Sequence, residues 1–312
     1  MKLAWPVAAS TKLNPTGNTG ANPLGSGGAS SVFLARRLEH RNNPKAEGFA
    51  LKVPDYDPTT ARSLSEEAFL RLFREEAGAL LALPEHPNLA KFVTFDAGAK
   101  PKPILVMELI RGMSLDRLIR SGSLTTAQVV KYLDGILAGL EAMHAVGVGH
   151  LDVKPSNVIL RDGDSPVLVD FGLSGRHLRP GCGTIDYSAP EVLGAVTEGA
   201  SNSPLPTDLY AFGSMAMETL TAELLFDAED EAAILGLHVS HDGWPPGLTP
   251  FAHTPETAAL AKLVAACLRR DPRNRPTARQ ARAALAKIAE PLGRLEWPLV
   301  PNSPSRRKAA AS

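Results

Sequence analysis

The chain has 312 residues, long enough for one large domain or for two lobes with a buried core in each. Its 44% apolar and 21% charged residues are the composition of an ordinary soluble globular protein. Lys+Arg and Asp+Glu number 33 each, and that neutral balance argues against a nucleic-acid binder that works by neutralising phosphates. No apolar run approaches the roughly 20 residues needed to cross a bilayer. The apolar piece from Leu3 to Ala9 is interrupted by Pro6 and is too short for a signal peptide. Two cysteines, Cys182 and Cys267, cannot build a disulfide framework. The expectation is a reduced, cytoplasmic protein with no membrane span and no nucleic-acid partner.

Residues 1–22 mix Pro, Asn, Thr, Gly and Ser with little periodicity and read as a flexible arm with room for one poor strand. The glycine-dense turn Gly25-Ser26-Gly27-Gly28 then opens into the alternating run Val32-Phe33-Leu34-Ala35, which predicts a β-hairpin. Glycines there let backbone N–H groups approach phosphate oxygens. Phe49-Ala50-Leu51-Lys52-Val53 predicts a strand with one lysine in its middle, and 40–48 a loop before it. A mid-strand lysine is by itself as readily solvent-facing as functional.

A helix follows. Ser63 with Glu66 three residues on has the spacing of a capping box. Phe69, Leu72, Phe73, Leu80 and Leu83 fall on one helical face, and Glu76 projects from its centre while Glu75 points away. A carboxylate in an apolar stripe needs a partner, because burying it unpaired costs several kcal/mol. Two strand-like runs, Ala90–Phe95 and Ile104–Leu109, lead into Ile110-Arg111-Gly112 with Gly112 as a hinge. Leu115, Leu118 and Ile119 make a short helix. Thr125 and Gln128 cap a longer one that buries Val129, Tyr132, Leu133, Ile136, Leu140 and Met143 and ends at Gly147 and Gly149.

Charged groups then crowd together. Gly149-His150-Leu151-Asp152-Val153-Lys154-Pro155-Ser156-Asn157 precedes the apolar strand Val167-Leu168-Val169, which leads into Asp170-Phe171-Gly172. Gly183-Thr184-Ile185-Asp186-Tyr187-Ser188-Ala189-Pro190-Glu191 follows. The first run resembles the catalytic loop of protein kinases, whose phosphoryl transfer to a hydroxyl needs a carboxylate to orient and accept the proton, and cations around the phosphate oxygens. Asp152 fits the first need and Lys154 the second. Asn157 offers an amide oxygen to Mg2+, a hard cation that prefers oxygen ligands.

These three clusters resemble the catalytic half of a eukaryotic-type (Hanks-type) Ser/Thr protein kinase, and abundant Ala, Gly, Pro and Arg suggest a bacterial one. The resemblance runs from about Leu24 to Leu285. It implies an α+β, two-lobed kinase-like fold: a β-rich N-lobe with one long helix, and a mainly helical C-lobe. The kinase domain would span 23–289, with N-lobe 23–108, hinge 109–112 and C-lobe 113–289, followed by a flexible tail 290–312. ATP and Mg2+ are the implied cofactors, and proteins with Ser/Thr acceptors the implied partners. Lys two positions after the Asp is what Ser/Thr-directed members carry.

By the same resemblance, Gly25, Ser26, Gly27, Gly28, Val32 and Ala50 would contact the nucleotide, and Lys52, paired with Glu76, would hold its α- and β-phosphates. Met107 would line the rear of the adenine pocket, with Glu108 and Ile110 offering backbone groups. Asn157 and Asp170 would hold Mg2+, and Thr184 would hydrogen-bond Asp152 and Lys154. Glu191 would pair with Arg275, and Asp208, at the start of an apolar helix to about Leu220, would hold the catalytic loop or cap that helix.

Two positions depart from the pattern. Ser30 stands where the loop's third glycine falls, and Leu151 stands where the commonest pattern has Arg before the catalytic Asp. That Arg ordinarily meets an activation-loop phosphate, and 173–183 holds only Ser174 as a hydroxyl residue, so activation-loop phosphorylation is expected not to switch this chain on. The alternatives are a catalytically weak or silent kinase-like scaffold, opposed by the intact set of charged groups, and a small-molecule phosphotransferase, opposed by the docking segment 183–191. Residues 227–256 show no usable periodicity, Cys267 reads as a buried thiol, and Arg306-Arg307-Lys308 as part of a solvated tail.

Overall fold

The computed structural model describes residues 7–9, 25–27, 30–40, 43, 45–56, 65–99, 102–178, 181–195 and 202–300. Contacts divide the chain into two units, Met1–Leu81 with Ala90–Ile110, and Ala82–Leu89 with Arg111–Ser312. The stretch Ala82–Leu89, which the sequence boundaries put in the N-lobe, groups with the C-terminal unit.

The first unit is a six-stranded sheet with one helix, among the described residues. Its strands are β1 (Val7–Ala9), β2 (Gly25–Gly27), β3 (Ser30–Arg37), β4 (Phe49–Pro54), β5 (Phe92–Asp96) and β6 (Ile104–Glu108). The order is β1-β3-β4-β6-β5, with β2 also on β3. Strand β1 lies in the segment read as a flexible arm, and pairs Val7 with Arg37 and Ala9 with Ala35. One edge of β3 is thus covered by two separate pieces of chain, β1 over Ala35–Arg37 and β2 over Ser30–Val32. Gly28 lies outside the described residues.

Side-chain alternation sorts this sheet into two faces. Ala35, Phe49, Leu51, Val53 and Val106 form one buried cluster, with Phe33, Val93 and Ile104 packed on it. The residues that alternate with them along the strands lie on the opposite face, where Val32 opposes Lys52 and Ala50 opposes Met107. Four of the residues singled out for nucleotide contact therefore share one face, a consequence of period two and register alone.

Helix α1 (Glu66–Leu81) buries Phe69, Phe73, Glu76, Ala77 and Leu80. Phe73 packs on Phe95, ring centroids 6.0 Å apart. The predicted start is corrected by the structure. The Ala68 N–H donates to Ser65 Oγ at 3.3 Å, so Ser65 caps the helix, whereas Ser63 lies outside the described residues. Leu83 falls beyond the helix end.

The second unit opens with β7 (Gly112–Ser114), which pairs with β8 (Val158–Arg161), itself paired with β9 (Ser165–Leu168). Gly112, expected as a hinge, is required as glycine by this pairing: a Cβ there would lie 1.9 Å from the Leu160 carbonyl oxygen. The helices are α2 (Leu115–Ser121), α3 (Thr126–Ala145), α4 (Leu205–Thr221), α5 (Glu231–Ser240), α6 (Pro255–Cys267) and α7 (Ala278–Gly293). Helix α3 starts with the capping box expected at Thr125 and Gln128 and packs against α7 and β9. Its predicted face, Val129, Tyr132, Leu133, Ile136, Leu140 and Met143, is buried.

Helix α5, capped by Asp230, lies in the stretch whose pattern gave no element. Its residues are apolar on all sides, so no 3.6-residue stripe marks it. Helix α7 runs past the predicted domain end at 289, and Trp297 to Val300 are half-buried, in what was read as a flexible tail. Residues 301–312, with Arg306-Arg307-Lys308, lie outside the described residues. No helix among the described residues is long and apolar enough to cross a membrane.

Candidate active site

In the first unit, Lys52 Nζ lies 2.9 Å from Glu76 Oε1, and both side chains are buried. The strand–helix pair implied by the resemblance is therefore formed, and it supplies the partner that the apolar stripe demands for Glu76. Glu75, one position away, stays exposed and, among the described residues, pairs with Arg71 at 4.0 Å. The Glu108 N–H donates to the Lys91 carbonyl at 2.8 Å, and the Lys91 N–H donates to the Glu108 carboxylate at 3.2 Å. This double tie fixes the end of β6, from which Ile110 follows. Gly25, Ser26 and Gly27 form β2, whose register sets Gly25 opposite Val32.

In the second unit the chain leaves α3 through Gly147, whose φ of 73° is easy for glycine, and enters a loop built around Asp152. Asp208 of α4 organises that loop. Its Oδ1 accepts the Leu151 N–H at 2.7 Å, its Oδ2 accepts the His150 N–H at 2.8 Å, and His144 Nε2 lies 2.8 Å from Oδ2. Asp208 is fully buried and sits inside the first turn of α4 behind a Pro204 N-cap, so the loop, and not the helix end, takes its carboxylate. Two amide donors hold Leu151 in the left-handed region, φ 64°, at a cost of order 1–2 kcal/mol for a residue with a Cβ.

His150 is buried beside Phe171, with ring centroids 5.2 Å apart, and its Nε2 lies 3.1 Å from the Val169 carbonyl. It links the loop to the strand end from which Asp170 projects, at φ 58° and exposed. Ser174 Oγ donates to the His150 carbonyl at 3.2 Å, and Gly149 and Gly175 exchange backbone hydrogen bonds.

The catalytic-loop side chains converge on Asp152. Thr184 Oγ1 donates to Asp152 Oδ1 at 2.9 Å, and Lys154 Nζ donates to Thr184 Oγ1 at 2.6 Å. Lys154 Nζ is also 2.8 Å from Asp152 Oδ2. Asn157 Nδ2 donates to both the Asp152 carbonyl and Oδ2, at 2.9 Å each. With both amide hydrogens so used, the acceptor Oδ1 is the edge Asn157 presents elsewhere. An amide oxygen here and the exposed carboxylate of Asp170 are the hard-oxygen donors that suit Mg2+, so the residues present fit that ion. A cavity lined by Leu151, Val153, Cys182, Thr184, Val192 and Ala211 adjoins Asp152.

The segment 183–191 is anchored at Glu191. Arg275 Nη1 and Nη2 make a two-pronged pair with Glu191 at 2.6 and 2.8 Å, and Thr207 Oγ1 adds a 2.9 Å bond to Glu191 Oε1. Tyr187 donates its hydroxyl to Glu218 at 2.6 Å, and burial with that neighbouring carboxylate raises the Tyr187 pKa. Cys182 is exposed, and Cys267 is buried with its thiol pushed up to about 12 by burial. The sequence assigned no role to His144, His150 or Glu218. Their bonds join positions as far as 64 residues apart in the chain, and no local spacing encodes them.

The protein kinase domain family model matches residues 19–284 of the chain. The chain is 34% identical over 299 residues to serine/threonine-protein kinase PknL of Mycobacterium bovis, covering 92% of this chain and 70% of that protein. PknL of Mycobacterium tuberculosis is 33% identical over the same length. PknB of Mycolicibacterium smegmatis is 30% identical over 281 residues, 86% of this chain but only 42% of PknB. A single match running through both units, together with relatives above 30% identity over nine-tenths of the sequence, makes this chain a member of the protein kinase domain family.

Proposed function

We propose that this chain is an ATP- and Mg2+-dependent protein kinase that moves the γ-phosphoryl group to Ser or Thr hydroxyls of proteins in the cytoplasm. The observation that carries the reading is the contact of Thr184 with both Asp152 and Lys154. It ties the segment on which a protein acceptor would dock to the carboxylate that would receive the acceptor's proton.

In this reading Asp152 orients the acceptor hydroxyl and takes its proton as the bond to phosphorus forms. Lys154 and Asn157 keep the carboxylate in one rotamer, and the Lys154 ammonium stabilises charge on the transferred group's oxygens. Asn157 Oδ1 and Asp170 hold Mg2+, which when bound neutralises charge on the phosphate oxygens. Lys52, held by Glu76, serves the α- and β-phosphates. Backbone N–H groups from Gly25 to Gly28 serve the same phosphates, and Val32, Ala50 and Met107 supply apolar contact for the base. The Glu108 carbonyl and the backbone of Ile110 supply its hydrogen bonds.

The same reading includes activity without a phosphate on the activation loop. Ser174 is the one hydroxyl from 173 to 183, and it is buried and bonded to the His150 carbonyl. Leu151 carries no charge to meet a phosphate. Arg176 instead donates to the Val146 carbonyl at 2.7 Å.

The test is incubation of the purified chain with Mg-ATP and a generic Ser/Thr protein acceptor, with and without prior phosphatase treatment. Asp152→Asn should cut transfer by about 10²–10⁴-fold, and equal incorporation by wild type and variant would contradict the assigned proton acceptor. Phosphatase treatment should leave the rate unchanged, and a several-fold fall would remove the activation-loop part of the reading.

A further inference from the structure

Helix α5 keeps a polar ring inside and leaves apolar residues in water. From Ala232 to Ser240 it carries no Asp, Glu, Lys or Arg. Leu235 and Leu237 are nevertheless 36% and 38% exposed, and Ala232, Ala233 and Gly236 are exposed with them. A Cβ built on Gly236 would meet nothing within 4 Å, so that position faces open space. The segments that lead into and out of the helix expose Leu224 and Trp244 as well. On its inner side the buried His238 ties the helix down. Its Nδ1 lies 2.9 Å from the Tyr210 hydroxyl on α4, and Phe226 meets its ring edge-on. A helix bonded down on one side and charge-free on the other has the make-up of an interface, not of a solvated face.

The charge around it is of one sign. Between Arg179 and Arg269 the chain holds one Lys or Arg, Lys262, against twelve Asp and Glu, although the whole chain balances 33 against 33. Five of the twelve, Glu223, Asp227, Glu229, Asp230 and Glu231, lead into α5, and all five are exposed. Asp230 Oδ1 accepts the Ala233 N–H at 2.8 Å as the helix cap, and none of the five forms an ion pair among the described residues. A negative rim beside an uncharged centre favours a partner that sets basic residues around apolar ones. It disfavours a second copy of the same face, because a two-fold contact would bring these carboxylates against each other.

Position says which partner. Helix α5 packs against the helical turn Ile185–Tyr187, which starts immediately after Thr184, and Thr184 bonds Asp152. The outer face of α5 therefore continues the segment on which a protein acceptor would dock. We propose that this face is a second docking surface for the protein acceptor, and that it takes a basic surface carrying apolar side chains. The proposal rests on reading the chain as a protein kinase, and adds to that reading the chemistry of the acceptor. A whole protein reaches both Asp152 and α5, whereas a short peptide at Asp152 does not reach α5.

The experiment measures initial rates with three acceptors: core histones, which are basic, dephosphorylated casein, which is acidic, and a short peptide spanning the histone residue that is labelled. It compares the full chain with Gly236→Ala, Gly236→Arg and the double variant Asp227→Lys with Glu229→Lys. Gly236 has open space around it, and Ala and Arg both form helix better than Gly, so neither should lower thermal stability. The wild-type KM should be lower for histones than for casein, and should rise with salt. Gly236→Arg and the lysine pair should each raise the histone KM about fivefold or more. Gly236→Ala should leave it unchanged, and the peptide KM and ATP KM should stay at wild-type values throughout. The proposal is overturned if the folded Gly236→Arg and lysine-pair variants keep the wild-type histone KM, if peptide and histone KM rise together, or if casein is the better acceptor. Ultracentrifugation adds one more outcome: a wild-type dimer that Gly236→Arg dissolves would assign the face to a second copy and overturn the proposal too. Wild-type chain that hydrolyses ATP but labels neither protein would sink the kinase reading itself, a result distinct from equal KM values among the variants.

Discussion

Lys52 and Glu76 lie 2.9 Å apart with 2% and 3% of their surface exposed. Removing one partner of a buried ion pair leaves an uncompensated charge, whereas an exposed carboxylate one position away is nearly free to change. Glu76→Ala should therefore lower the unfolding free energy by about 3–5 kcal/mol, and Glu75→Ala by less than about 0.5 kcal/mol. Urea titration of the two variants checks this, and similar midpoints would show that the pair adds nothing. The same scale explains why Leu151 and Asp170 tolerate left-handed backbone. Leu151 is held there by the Asp208 carboxylate, and Asp170 follows Val169, whose carbonyl meets His150 Nε2 and whose N–H donates to the Asn157 carbonyl.

At the scale of elements, three helix starts come from local chemistry and one strand start from close packing. Thr125 with Gln128, Thr254 with Thr257 and Thr277 with Gln280 each form reciprocal caps that start α3, α6 and α7. Strand β7 starts at Gly112 because nothing larger fits against Leu160 of β8. Gly112→Ala should destabilise the chain by about 1–3 kcal/mol, as overpacking does. Gly78→Ala, inside α1 with open space around the added carbon, should stabilise it by about 0.5–1 kcal/mol. Thermal unfolding of the two variants should move in opposite directions. A rise for Gly112→Ala would mean that β7 and β8 can separate without cost.

For the whole molecule, the buried histidines set the response to acid. Burial lowers the pKa of His238 to about 4, and of His241 and His86 in the same direction. His238 is neutral when folded at neutral pH, and all three rings take up a proton more readily in the unfolded chain, below about pH 6.5. Stability is therefore full above that pH and drains away as pH falls toward 4, by about 3 kcal/mol from His238 alone. Glu218, whose pKa burial raises, works in the opposite sense at the acid end. Urea unfolding at pH 7.5 and 4.5 should show this loss in wild type and a shallower one in His238→Gln. Equal stability at the two pH values would contradict it.

By itself the sequence determined what short-range chemistry can encode. Strand parity, helix caps, the apolar stripe with Glu76 in it and the chemistry-bearing types from Asp152 to Thr184 were all legible, because each depends on neighbours a few positions apart. That Glu76 needs a partner was legible too, because a buried charge must be paired, and the kinase resemblance named Lys52. The resemblance to protein kinases implied the hold of Asp208 on the loop and the contacts of Thr184 with Asp152 and Lys154. Tertiary structure alone decided the His144–Asp208 and His150–Val169 ties, the need for Gly112, and the burial of His238 on α5. Each of these joins side chains or backbone groups that are distant in the chain, and only packing brings them within reach of one another.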